Sequence, residues 1–95
     1  MNIQLKEEEC WALLRPVCRE LDDLVKEGHL KFVSGQHCEK DGIYTLNLEG
    51  DHLHFASRGI RDSIGDVMYD MNKIRIGLRS GGIPINVFVN MTHNV

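Results

Sequence analysis

The sequence predicts an α+β fold, a two-layer sandwich in which two helices cover one face of an antiparallel sheet. Three observations lead there. Residues 5–27 carry apolar side chains at helical spacing, residues 43–57 alternate as a hairpin does, and residues 83–91 alternate as a strand does. Ninety-five residues form one domain, read as spanning 1–95. A composition of 42% hydrophobic and 26% charged residues suits a chain that buries a core and not a disordered segment.

In the first helix, Trp11, Leu14, Cys18, Leu21 and Val25 recur at three- and four-residue steps, joined by Leu13, Val17 and Leu24. Glu7, Glu8 and Glu9 complement the positive end of its dipole, and Gly28 is a natural stop. Pro16 removes a backbone bond, so a kink is expected there. A short strand, 30–33, and a polar loop, 34–41, follow, the loop ending in the turn signal Asp41-Gly42.

Residues 43–49 and 52–57 flank Gly50-Asp51, which suits a two-residue hairpin turn. The implied register pairs Leu48 with Leu53, Leu46 with Phe55 and Tyr44 with Ser57 on an apolar face, leaving Glu49, His52, Asn47 and His54 on a wet one. A second helix is expected from Ser63 to about residue 79, with Ser63 and Asp66 at capping-box spacing and Gly81-Gly82 as its stop. Ile74, Ile76 and Leu78 also alternate as a strand does, so a hairpin turning at Ser80-Gly81-Gly82 is the rival reading. The last strand, 83–91, sets Ile83, Ile85, Val87, Val89 and Met91 on one face and Pro84, Asn86, Phe88 and Asn90 on the other. The expected order is α-β-β-β-α-β.

Charge is uneven. Residues 1–51 carry eleven acids and six bases, whereas residues 52–95 carry three acids and five bases, within a net charge of −3. The first residues are too polar for a signal peptide, no apolar run is long enough to span a membrane, and three unpaired-looking cysteines suit a reducing compartment. A cytoplasmic chain with no membrane partner is expected.

No motif for a cofactor stands out, and none is expected. His52 and His54 on one strand face, near Glu49, are the weak metal candidates, far short of the four tightly spaced ligands of a structural zinc site. Cys38 beside His37 is the one plausible reactive thiol. Gly81-Gly82 follows an element instead of opening a helix, so it is no phosphate loop.

Phe88, between Asn86 and Asn90 on the wet face and beside His52 and His54 if their strands are neighbours, has the composition of an interface anchor. The long apolar last strand, if it lies at a sheet edge, invites pairing with another chain. The expectation is therefore a small non-enzymatic binding or regulatory protein of inhibitor, immunity or adaptor type, from a bacterium or phage. Its partner is another protein or a second copy of itself, as a homodimer. The alternatives are a nucleic-acid-associated regulator using Arg58, Arg61, Lys73, Arg75 and Arg79, and a metal- or thiol-dependent enzyme using His52, His54 and Cys38.

Overall fold

The computed structural model describes residues 2–50, 66–70 and 73–91, and in them the first apolar stretch forms two helices in place of one kinked rod. Helix α1 spans Glu7–Leu14 and α2 spans Arg19–Lys26. Pro16 accounts for the break, because it has no N–H to donate and its ring crowds the preceding turn. The chain closes α1 with the Arg15 N–H on the Trp11 carbonyl (2.9 Å) and the Cys18 N–H on the Leu14 carbonyl (2.8 Å). Cys18 is then extended, with φ −147° and ψ 91°, and a fresh helix begins after it. The apolar period survives the break: Trp11, Leu14, Cys18, Leu21 and Leu24 are all buried.

The acidic first turn of α1 does more than face a dipole. Glu9 accepts a bond from the Lys6 backbone N–H, and Glu7 accepts one from the Trp11 indole N–H, each at 2.9 Å. Asp22 links the helices, lying 3.4 Å from Arg15 Nε and 3.0 Å from Lys26 Nζ. The Lys26 ammonium, with Arg15 behind it, holds the Asp22 carboxyl below the usual carboxylate range.

Among the described residues six strands form one sheet: β1 (Asn2–Gln4), β2 (Leu30–Cys38), β3 (Ile43–Gly50), β4 (Asp66–Asp70), β5 (Lys73–Ser80) and β6 (Ile83–Met91). Their spatial order is β1-β2-β3-β6-β5-β4. The fold is α+β with two layers, as expected, but the element order is not. A strand precedes the helices, both helices come from the first stretch, and the sheet is mixed because β3 and β6 run parallel.

Asp66–Asp70 and Lys73–Ser80, expected within the second helix, form β4 and β5 instead. Gly81 and Gly82 adopt φ of 58° and 86°, and Ser80 pairs with Ile83 across them. Two consecutive positive φ angles make the two-residue turn whose twist matches a hairpin. Ile74, Ile76 and Leu78 then fall on one side and are each 3% exposed or less, where a helix would scatter residues two apart around its girth. The expected helix start, 63–65, lies outside the described residues.

Strand β2 runs five residues past its expected end at Val33. Phe32 pairs with Leu48 and Ser34 with Asn47, so Val33 is an extra residue, a bulge that reverses the alternation. The expected loop shrinks to the turn at residues 39–42, where the Gly42 N–H meets the Cys38 carbonyl at 2.8 Å.

Strand β6 lies between β3 and β5, so the last strand is central and offers no edge to a partner chain. Its β-branched inner face suits that place, with Ile85, Val87 and Val89 fully buried. Residues 52–57, expected to pair with β3, lie outside the described residues; both edges of β3 are taken, by β2 and β6.

The core lies on one side of the sheet. Leu46 and Leu48 of β3 meet the β5 and β6 aliphatic rows, and the buried side chains of α1 and α2 join the same cluster. Trp11 meets Phe32 edge-on, with centroids 6.1 Å apart at 74°. Gly35 sits under Cys10, leaving room for α1 to press on β2. No described helix is long and apolar enough to cross a membrane.

Candidate interaction face

Strand alternation sends the other half of the side chains to the face opposite the core. Along β6 these are Pro84, Asn86, Phe88 and Asn90, and along β3 they include Thr45, Asn47 and Glu49. Phe88 is registered between Asn47 of β3 and Arg75 of β5, and Arg75 in turn faces Met68 of β4. One row therefore reads Asn47, Phe88, Arg75, Met68. The rows beside it read Glu49, Asn90, Lys73, Asp70 and Thr45, Asn86, Gly77, Asp66.

Lys73, Arg75 and Arg79 were expected on a helix, apart from the Phe88 face. As alternate residues of β5, opposite in sense to buried Ile74, Ile76 and Leu78, they share that face instead. The change from helix to strand thus merges two candidate sets into one surface. His52, His54, Arg58 and Arg61 lie outside the described residues.

Phe88 is half-buried, with the Lys73 ammonium 5.3 Å from its ring centroid, a cation–π distance. The Arg75 guanidinium donates to the thioether of exposed Met68 at 3.0 Å. Asn47 donates from Nδ2 to Ser34 Oγ at 3.0 Å, which fixes its amide beside the Phe88 row. Gly77, opposite Asn86, has no side chain, so a depression of about 230 Å³ opens between Met68, Arg75, Gly77, Asn86 and Phe88. Neither Met68 nor Gly77 was expected at a site from the sequence. Their part depends on the pairing of β4 with β5, which no local pattern announces.

The thiol reading meets a geometric obstacle. His37 stacks on Tyr44 at 4.2 Å and 14°, whereas the Cys38 thiol points toward Asp41 Oδ2 at 3.7 Å. Both residues belong to β2, whose alternation sends neighbours to opposite faces, so His37 is not placed to serve Cys38 as a base. Cys10 and Cys18 are buried, and burial pushes each thiol up to about 11. A thiol reagent at neutral pH is expected to label Cys38 first and to reach Cys10 and Cys18 only as the chain opens. Equal labelling rates, read by intact mass against time, would contradict the packing of α1 and α2. Among the described residues no three His, Cys, Asp or Glu side chains gather as a metal site requires.

A second depression, about 330 Å³, lies beside α1 between Leu5, Glu9, Ala12, Leu13 and Tyr44. Its one charged group, Glu9, is already engaged with the Lys6 backbone. Compared with known proteins, the chain matches no family model, no curated protein and no solved structure.

Proposed function

We propose that the chain is a non-enzymatic binding protein of regulatory, inhibitor or adaptor type, which engages another protein through the outer face of β3, β6 and β5. One observation carries this reading: an aromatic side chain stands in the middle of the outer face, among asparagines and long cations. Phe88 is half-buried by Asn47, Arg75 and Lys73 on strands that flank its own, while both described helices pack on the other side. Aromatic anchors ringed by polar groups carry most of the binding energy in protein interfaces. The partner is another protein or a second copy of the chain, and the setting is cytoplasmic.

The Phe88→Ala variant tests the reading. Because the core lies on the opposite face, its melting temperature is expected to fall by only a few degrees, matching roughly 1 kcal/mol or less. Immobilised wild-type chain is expected to retain at least one protein from its own cell extract that folded Phe88→Ala chain does not. Identical retention by both columns, or a large loss of stability in Phe88→Ala, would remove Phe88 from any binding role.

A nucleic-acid reading has its own support in the alignment of Lys73, Arg75 and Arg79 along β5. Binding of that kind falls steeply with salt as counterions are released, so a flat salt dependence would eliminate it.

A further inference from the structure

We infer that Met68 is a site of stereoselective, reversible oxidation by peroxide, and that its sulfoxide closes the depression beside Phe88 to apolar groups. Met68 is 55% exposed on strand β4, and its thioether is one wall of that depression. Thioethers within reach of small oxidants are the ones that oxidise. Met91, by contrast, is half-buried against the core cluster.

Arg75 supplies the second observation. It stands opposite Met68 across the β4–β5 ladder, and its Nη2 donates to the Met68 Sδ at 3.0 Å. A thioether sulfur has two lone pairs, and attack through one or the other gives opposite sulfoxide epimers. Arg75 occupies one of them, so peroxide meets the other. Asp66 and Asp70 share this face by register, but an ionised carboxylate has no hydrogen to give a sulfur. The guanidinium is therefore what makes the two sides of the sulfur unequal.

The free lone pair attacks one oxygen of hydrogen peroxide, forming the S–O bond as the O–O bond breaks. The departing hydroxide takes the proton of the new S–OH group and leaves as water. Sulfur loses two electrons and the peroxide gains them. A reductase carrying a thiol pair reverses the change: the sulfoxide oxygen leaves as water and the thiols become a disulfide. Each class of such reductase accepts one epimer, so a site that forms a single epimer answers to a single class.

Oxidation turns a flexible apolar side chain into a polar one. Met68 then no longer offers an apolar wall to the depression it shares with Phe88, and Gly77 has no side chain to replace it. This step rests on the protein-binding reading of the face. A partner that seats an apolar group there is expected to prefer the reduced chain.

The test treats the full folded chain with hydrogen peroxide, samples it over time and digests each sample with trypsin. Fragment ions separate Met68 from Met71 within their shared peptide. Sulfoxide is expected to build up at Met68 at least about threefold faster than at Met91. The digest is then given to each of the two epimer-specific reductases. One of them is expected to clear about three-quarters or more of the Met68 sulfoxide. In Arg75→Ala the split should move to even, and in Arg79→Ala it should stay as in wild type. Circular dichroism confirms that each variant is folded, and the wild-type split stands by itself should Arg75→Ala unfold. Equal rates at Met68 and Met91, an even split in wild type, or a skew that survives Arg75→Ala overturns the assignment. For the depression, immobilised wild type is expected to lose its retained protein after peroxide treatment, whereas Met68→Leu, which has no sulfur there, keeps it. Unchanged retention by oxidised wild type overturns the closure. Should Phe88→Ala also retain everything, it is the binding reading that falls, and the epimer split still decides the oxidation site.

Discussion

Gly50→Ala is expected to lower stability by about 3 kcal/mol or more, enough to unfold much of a small domain at physiological temperature. Gly50 closes β3, opposite Leu30 of β2 and Met91 of β6, and it is buried. A Cβ there would stand 2.4 Å from the His29 carbonyl oxygen and 2.5 Å from Leu30 Cδ2. The leucine can turn aside, but the carbonyl cannot move without its peptide. That peptide is anchored, since the His29 N–H bonds the Leu24 carbonyl at 2.8 Å at the end of α2. Relief therefore requires displacing either the α2–β2 connection or the end of a central strand. The sole tryptophan, Trp11, sits in the core and reports unfolding in urea. Gly28→Ala is the comparison, because a Cβ at Gly28 meets nothing within 4 Å and the cost is confined to its φ of 81°, about 1 kcal/mol. A Gly50→Ala midpoint no lower than that of Gly28→Ala would show that the α2–β2 corner yields freely.

Gly35→Ala is expected to cost about 2–3 kcal/mol, and most of that loss is expected to return when Cys10 is also replaced by alanine. The added Cβ would lie 2.4 Å from Cys10 Sγ and 3.2 Å from Leu46 Cδ2. Here the obstacle is a side chain and not the backbone. Removing the sulfur alone leaves a small cavity worth roughly 1 kcal/mol, and the new methyl fills part of it. The two changes should therefore be far from additive, with a coupling of about 1–2 kcal/mol in a double-mutant cycle. Additive losses would mean that α1 does not rest on β2 at this point.

Which parts of the fold were legible follows from how local their causes are. The stripe from Trp11 to Leu24 was readable because each member recurs within a turn of the last; only the break at Pro16 was underrated, since a buried stripe persists through a tight corner as well as through a kink. Strand β2 was cut short at Val33 because a bulge sits there. Beyond it the inward positions hold Gly35 and His37, which carry no apolar signal. The segment 73–79 satisfied two periods at once, and the turn at Gly81-Gly82 decided between them through a pair of positive φ angles. The facing of Phe88 was legible from the alternation of 83–91 alone. Its neighbours Arg75 and Lys73 were not, because a helix assignment carried them to another layer. The central position of β6 had no local signature at all, since it depends on pairing with a strand far back in the chain.

That pairing has a kinetic consequence. Two antiparallel hairpins, β2–β3 and β5–β6, each close over a few residues, whereas the parallel ladder between them joins Tyr44 to Ile85, 41 positions away. Short loops close in well under a microsecond, but a distant ladder must overcome a larger closure entropy before its first contacts form. Leu46, Leu48, Val87 and Val89, which line that ladder on the core side, are thus placed to govern how fast the chain folds as well as how tightly it holds. A chain arrested before that step carries two separate hairpins with open inner edges, the species most prone to pair with another copy.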